Sequence, residues 1–286
     1  MKYSKSQIMG RAYKIPELKF EDQNLTSFAG LVIFQPLMLG LELKNRLWHC
    51  FRHLNLSRIF GHPVITMLLI VHLLLGYRRL RDLAYYQDDP MVKRLLGLNQ
   101  LPDPSTVSRA RSSIDNLSIE RVRELCRNLV IERFKKIAIY RITLDFDGSV
   151  FSTQSRTTEG TAVGYNRKRK GSRSYYPLFC TLAQTGQVFD VYHRPGNVHD
   201  SHGAREFIIA GIASFQKALP WVKIEVRMDS AFFSDAIVSV LDEKDVEFTL
   251  SVPFERFVEL KKQIQERSRW PNPCHPGHDD STEKPA

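Results

Sequence analysis

The sequence predicts a helical N-terminal region followed by a mixed β-sheet with flanking helices. From about residue 31 to residue 137, apolar side chains recur three and four positions apart, as on one face of a helix. From residue 138 they alternate, or form short runs between turn residues, as in strands. The later segments follow in the order β, β, β, α, β, α, β, which is typical of a sheet with an antiparallel start and parallel crossovers.

The composition is that of a globular protein with a basic surface. The chain has 286 residues, of which 43% are hydrophobic and 25% charged, and its formal net charge is +10. This excess of positive charge favours a polyanionic partner, nucleic acid first. The N-terminus has no signal-peptide core, and the apolar run 63–77 is short for a membrane span. We therefore expect a buried helix over 63–77, no membrane association and a cytoplasmic location.

Residues 1–30 are polar and predict a flexible N-terminal arm, and residues 31–137 predict a helical DNA-binding domain. Apolar spacing over 37–54 predicts one of its helices. A second helix is expected to open at Pro90, with Asp88 or Asp89 as its cap.

A short polar helix over 106–113 carries Arg109 and Arg111, with Asp103 or Ser105 as its cap. A short turn ahead of a helix rich in Ser, Thr and Arg is how a recognition helix meets DNA, so both arginines are candidate DNA contacts. The alternative is an ordinary solvated helix. A longer helix is predicted over 118–137.

Residues 138–267 predict the second domain, and residues 268–286 a disordered tail. Its first strand lies in 138–153, and the segment 174–197 predicts a hairpin around "QTGQ". A helix over 202–219, capped by Asp200 or Ser201, precedes a strand that ends at Asp229. A further helix, a last strand and a final charged helix complete the domain.

The stretch "LDFDGS" places Asp145 and Asp147 two positions apart on the first strand, and therefore on one face. Like charges side by side are unfavourable unless a cation neutralises them. The string resembles the leading motif of haloacid dehalogenase-type phosphatases, in which Asp145 would be the nucleophile and Asp147 the acid/base beside Mg²⁺. The context differs from that family, because a polar loop and a hairpin follow the motif where a helix is required.

The second interpretation is a nucleotidyl transferase whose carboxylates come from separate strands and converge on two Mg²⁺ ions. Asp229 closes the run "IEVRMD" at the end of the fourth strand, which should lie beside the first. Asp147 and Asp229 hold the corresponding positions on these two strands. A helix cap is the alternative role for Asp229.

The motifs "DPSTVSR", "LDFDGSV", "EGTAVGYNRKRKGSRSYYPLF", "RPGNVHDSHGA" and "RMDSAFF" occur in this order within 101–256. This region resembles DDE transposases of bacterial insertion sequences, in the RNase H-like superfamily. The resemblance implies an RNase H-like catalytic domain that cleaves and joins DNA at transposon ends, with Mg²⁺ or Mn²⁺ as cofactor. It places the first metal-binding, catalytic acid at Asp147, with Asp145 as the second choice, and the next at Asp229. The implied partners are terminal repeats, target DNA and a second copy in an active homodimer.

A basic run lies beside the first catalytic strand and suits the phosphate backbone of DNA. Its members are Arg167, Lys168, Arg169, Lys170 and Arg173. The alternative is a solvated loop.

The resemblance also requires a third acid, a glutamate on a later helix, and none of the glutamates from Glu243 to Glu266 has a matching context. We therefore expect a catalytic domain that is incomplete at its C-terminus, in a truncated copy of a transposase. A DNA-binding remnant that represses without catalysis is the alternative, and the phosphatase is a third hypothesis.

Overall fold

The computed structural model describes residues 25–54, 59–137, 139–164, 166, 169–199, 201–253 and 257–267. The chain divides into two compact units, Met1–Leu129 and Val130–Ala286. The division falls inside a long helix, upstream of the boundary predicted at 137/138. The arm over 1–24 and the tail over 268–286 lie outside the described residues.

The first unit is helical in its described part, and the apolar faces of its helices form one core. Two 3₁₀ turns, at Ala29–Ile33 and Leu80–Tyr85, accompany the helices. The helices are α1 (Phe34–Gly40), α2 (Leu43–Phe51), α3 (His62–Leu74), α4 (Pro90–Leu96), α5 (Pro104–Ser112) and α6 (Asn116–Lys136), whose last turns belong to the second unit.

The apolar run 63–77 forms α3, and the buried helix predicted there is confirmed. Leu68 and Val71 are fully buried, and His72 Nδ1 lies 2.6 Å from the Tyr86 hydroxyl inside the core. No helix in the described ranges is long and apolar enough to cross a membrane. The single helix predicted over 37–54 is wrong in one respect, because the chain breaks at Glu42, which has a left-handed backbone (φ 49°).

Two aspartates start helices in the first unit, as the sequence predicts. Asp89 accepts hydrogen bonds from the backbone N–H groups of Met91 and Val92 at the start of α4. Asp103 does the same at the start of α5, at 2.9 Å from Ser105 N. Hydrogen bonds from Ser105 and Thr106 lower the pKa of Asp103 to about 2, because they stabilise its ionised form.

The second unit contains a five-stranded mixed sheet in the order β6-β5-β1-β7-β8. β1 pairs antiparallel with β5 and parallel with β7, while β5–β6 is antiparallel and β7–β8 parallel. The predicted antiparallel start with parallel crossovers is therefore confirmed. The strands are β1 (Arg141–Gly148), β2 (Phe151–Ser152), β3 (Ala162–Val163), β4 (Arg173–Tyr175), β5 (Leu178–Leu182), β6 (Gln187–Tyr192), β7 (Lys223–Met228) and β8 (Glu247–Leu250).

One face of this sheet forms the core. Alternate residues of β1 and β7 are buried there, with Leu144 and Val226 fully enclosed. Phe146 meets Phe207 of the next helix edge to face, with ring centroids 5.8 Å apart. The remaining residues of β1 and β7 point to the opposite face, which carries the polar groups. The helices of this unit after α6 are α7 (Ala204–Ala218), α8 (Asp235–Glu243) and α9 (Val258–Glu266).

Two local predictions differ from the structure. The segment between the "LDFDGS" motif and the hairpin, expected to be a polar loop, contains strands, since β2, β4 and β3 form a small antiparallel sheet. Helix α7 is capped by Gly203 (φ 67°) and not by Ser201, while Asp200 lies outside the described residues. Glycine fits this left-handed position because it has no Cβ, and a Cβ there would also lie 2.5 Å from the Tyr192 ring.

Candidate active site

Asp147 and Asp229 lie at the ends of the two central parallel strands. Every register pair of β1 and β7 differs by 82 residues, and the last pair is Phe146 with Met228. Asp147 and Asp229, each one residue further on, have the same separation. Asp229 keeps an extended backbone (φ −83°, ψ 178°), so the alternation of side chains continues to it. Because neighbouring strands are about 4.8 Å apart, both carboxylates are expected side by side on the polar face.

Both aspartates are exposed to solvent. Oδ1 of Asp229 accepts a hydrogen bond from Ala231 N–H at 3.0 Å and thereby caps a 3₁₀ turn, Ser230–Phe232. The helix cap considered for Asp229 is wrong as to the helix, because Ser234 occupies the N-cap position of α8 and Asp229 caps only this short turn. One cap bond fixes one carboxylate oxygen and leaves acceptor capacity on the other.

Asp145 is neutralised by an arginine on the neighbouring strand. Arg227 donates from Nε to Asp145 Oδ1 at 2.6 Å and from an Nη group to Oδ2 at 2.8 Å. The two residues are register partners, so the planar guanidinium meets the carboxylate edge to edge. The negative charge of Asp145 is thus neutralised by Arg227 of the same chain, and no metal ion is needed there.

An aromatic ring covers the end of β1. A Cβ at Gly148 would lie 2.6 Å from the hydroxyl of Tyr176, so only glycine permits the ring to approach this closely. The Arg194 guanidinium lies over the ring, with its central carbon 5.1 Å from the ring centroid, and its Nε donates to the backbone carbonyl of Tyr176. Arg194 is 1% exposed and also donates to the carbonyls of His199 and His202. The Tyr176 ring is therefore held in place against Gly148, the residue that follows Asp147 in β1.

The described part of the basic run is anchored by a buried asparagine. Asn166 donates to the hydroxyls of Ser152 and Ser172, at 2.7 and 3.1 Å, and accepts from the backbone N–H of Arg169 at 3.0 Å. These bonds fix the backbone next to Arg169 and Lys170, whose own side chains are exposed. Both are available to a polyanion.

The other members of the basic run differ from these two. Arg173 is half-buried and donates from Nε to Thr161 Oγ1 at 2.9 Å and from an Nη group to Thr161 O. Its guanidinium thus links the start of β3 to β4. Any contact of Arg173 with DNA would have to coexist with these hydrogen bonds to Thr161. Arg167 and Lys168 lie outside the described residues.

Residues 11–273 match the family model described as Transposase DDE domain group 1. The match covers far more than half of the chain. The chain belongs to this family of DDE transposase domains. Comparison with curated proteins gives no significant match.

Solved transposase structures are similar to this DDE domain at low identity. The Mos1 transposase paired-end complex with left transposon end is 12% identical over 71% of this chain and 70% of that chain, with a TM-score of 0.29. The catalytic domain of Mos1 with Raltegravir and Mn is 11% identical over 52% and 74%, with a TM-score of 0.28. The piggyBac transposase synaptic complex with hairpin DNA is 11% identical over 82% and 45%, with a TM-score of 0.36.

The donor set of the DDE domain suits a hard divalent cation. Exposed carboxylates on adjacent strand ends offer the oxygen ligands that Mg²⁺ and Mn²⁺ prefer. Asp147 and Asp229 provide two such groups, and no cluster of three or more His, Cys, Asp or Glu residues of metal-binding geometry occurs in the described ranges. The residues therefore fit a divalent ion bound by two protein carboxylates, with substrate or water completing its coordination.

The first unit of the DDE chain carries the two candidate DNA contacts of the predicted recognition helix. Arg109 and Arg111 both lie in the last turn of α5. Arg109 donates to Thr106 Oγ1 at 3.3 Å and is otherwise directed to solvent, as is Arg111.

Three residues of this region were not singled out from the sequence, namely Gly148, which follows Asp147, Arg227, which pairs with Asp145, and Arg194, which holds the Tyr176 ring. Arg227 could have been found from the sequence, because Asp145 and Arg227 are 82 residues apart, the same separation as Asp147 and Asp229. Gly148 and Arg194 give no comparable signal, because their roles depend on the packing of the Tyr176 ring.

Proposed function

We propose that this chain is a transposase that cleaves and joins DNA strands at the ends of a bacterial insertion sequence, with Asp147 and Asp229 as its first two catalytic acids. The observation that supports this most is the register of β1 and β7, which puts both carboxylates at adjacent strand ends. Membership of the DDE transposase family supports this class of reaction. The phosphatase hypothesis requires a parallel sheet around the first acid, whereas β1 is antiparallel to β5.

Asp147 and Asp229 would hold the divalent ion through their carboxylate oxygens. A bound Mg²⁺ or Mn²⁺ would activate the attacking hydroxyl group and stabilise the leaving oxygen of the phosphodiester. The cap bond from Ala231 orients Asp229, and the parallel backbone ladder of β1 and β7 fixes the spacing of the two acids. Asp145 is assigned no metal, because Arg227 occupies both of its oxygens.

The DNA backbone would lie across the polar face of the second unit. Arg169 and Lys170 are exposed cations on a loop fixed by Asn166, and they suit phosphate contacts that carry no sequence information. Arg109 and Arg111 of α5 are proposed as further contacts, in the manner of a recognition helix. The net charge of +10 favours this binding over the whole surface.

The test uses the full chain and a labelled duplex that contains the DNA on both sides of its reading frame. We expect strand cleavage that requires Mg²⁺ or Mn²⁺ and is lost in Asp147→Asn and in Asp229→Asn, while both variants still bind DNA. Asp242→Asn is the matched control, because Asp242 is an exposed aspartate on α8. The mass of the DNA-bound species, measured on the same samples, tests the proposed homodimer.

DNA binding without cleavage under any metal condition would overturn the catalytic proposal and favour the second candidate, a DNA-binding protein without catalysis. Cleavage that survives in Asp147→Asn and Asp229→Asn would show that other residues carry the reaction.

A further inference from the structure

Arg227 lies on the polar face of the sheet, one row before the acid pair. Asp145 and Arg227 are paired across β1 and β7. Two residues further along each strand, on the same face of the sheet, lie Asp147 and Asp229. Same-face neighbours along a strand are roughly 7 Å apart, so the guanidinium is within one phosphodiester unit of the acids. The Arg227 side chain is 48% exposed, against 30% for Asp145.

The ion pair leaves part of the guanidinium available. Arg227 uses Nε and one Nη group on Asp145, and its other Nη group has no protein partner in the described part of the chain. Guanidinium groups bind phosphate oxygens through two parallel N–H donors and stay charged at all relevant pH values. The hydrogen bond with Asp145 also raises the pKa of Arg227.

A purely structural role explains little of this arrangement. The backbone ladder already aligns β1 with β7, and Thr143 donates to Glu225 across the same strands at 2.9 Å. Arg141 adds ion pairs with Glu225 and Glu247 at the far end of the same face. A bidentate Arg–carboxylate pair is the kind of exposed ion pair that does stabilise a fold, yet these two strands are already aligned without it. An arginine that is fixed by an ion pair and remains half-exposed near two carboxylates points instead to a ligand of negative charge.

We propose that Arg227, held in position by Asp145, binds a phosphate of the DNA strand that enters the acid pair. This inference rests on the proposed function. Asp145 then acts as a positioning residue that holds the arginine fork toward the backbone of the strand. In this proposal Asp147 takes part in the reaction, whereas Asp145 contributes to DNA binding through Arg227.

The test measures DNA affinity of the full chain against salt concentration, by fluorescence anisotropy with a short duplex from the DNA flanking the reading frame. Losing one phosphate contact lowers the slope of log affinity against log salt by about 0.9. We expect this change and about tenfold weaker binding in Arg227→Gln. The double variant Asp145→Asn with Arg227→Gln has the net charge of the wild type and leaves no unpaired carboxylate, yet should show the same loss.

Arg141→Gln is the matched control, because it removes the same charge from the other end of the same face. Its slope should equal that of the wild type. Measured without divalent metal, Asp147→Asn shows whether the duplex occupies the acid pair, since removing a carboxylate that repels phosphate there should tighten binding. Thermal unfolding of each variant verifies that it is folded.

The outcomes separate the two proposals. An unchanged slope in the double variant, together with tighter binding in Asp147→Asn, overturns the role of Arg227 and leaves the proposed function standing. A wild type that does not bind DNA, or an Asp147→Asn variant with unchanged affinity, overturns the DNA site at the acids and the role of Arg227 with it.

Discussion

Replacing Gly148 with alanine should destabilise the second unit at the edge of the candidate site. The new Cβ would lie 2.6 Å from Tyr176 Oη, 2.7 Å from Cζ and 3.0 Å from Cε2. Carbon atoms in ordinary contact are about 3.5–4.0 Å apart, so the ring must move by about 1 Å. Gly148 does not have a positive φ, and the cost therefore arises from this contact and not from the backbone.

The ring cannot move freely, because the Arg194 guanidinium stacks on it and is itself buried. Overpacking of this kind costs roughly 1–3 kcal/mol, and we expect Gly148→Ala to lower the free energy of unfolding by about 2 kcal/mol. Urea denaturation followed by circular dichroism measures this change. The same variant should cleave DNA more slowly, since Gly148 directly follows Asp147 in β1 and a shift of its backbone would move that carboxylate.

A double-mutant cycle identifies the cause. Tyr176→Ala removes all three crowded atoms, so adding Gly148→Ala to it should cost almost nothing further. Tyr176→Phe keeps Cζ and Cε2 and should rescue little. Gly40→Ala is the control, because a Cβ at Gly40 meets no atom within 4 Å. Costs that simply add in the Gly148 and Tyr176 cycle, or a Gly148→Ala variant as stable as the wild type, would refute the argument.

Three further predictions concern other parts of the chain. Hydrogen bonds lower the pKa of Asp103 and of Asp115 to about 2, so the stability that these two carboxylates add is present above about pH 4 and is lost as the pH falls through 2. Circular dichroism should show helix loss in this pH window. The loss should be less steep in the variants Asp103→Asn and Asp115→Asn. Asn166→Ala removes the anchor of the basic loop without changing charge, and DNA affinity measured by anisotropy should fall several-fold. A thiol reagent should label the exposed Cys126 in the native protein and leave Cys180 unlabelled, because burial raises the pKa of Cys180 well above its usual value. Mass spectrometry of the labelled peptides would verify this result.

The sequence predicts those parts of the fold in which local signals and tertiary packing agree. Asp89 and Asp103 combine a capping side chain with a following proline, and both begin helices as expected. The hairpin of β5 and β6 follows from alternation around a Gly-containing turn. The parallel neighbour of β1 follows from the order of segments, because a crossover through a helix returns the next strand to the same sheet.

Features that depend on a single backbone angle or on distant contacts were not predictable. Glu42 interrupts the helix predicted over 37–54 with a left-handed backbone, although the apolar period continues through it. Gly203 begins α7 in place of a side-chain cap, because the Tyr192 ring excludes any Cβ at that position. The small sheet around β4 has strands of two or three residues, which are too short to produce an alternating pattern.

The roles of the two aspartates in "LDFDGS" illustrate why a motif alone could not separate them. Both lie on one face of β1, and either could be the first acid in the resemblance. The difference lies on β7, where the register partner of Asp145 is an arginine and the position matching Asp147 is another aspartate. A carboxylate that meets a guanidinium is neutralised, whereas two facing carboxylates require an external cation. The resemblance already favours Asp147, and the strand 82 residues later adds a physical reason for proposing it over Asp145.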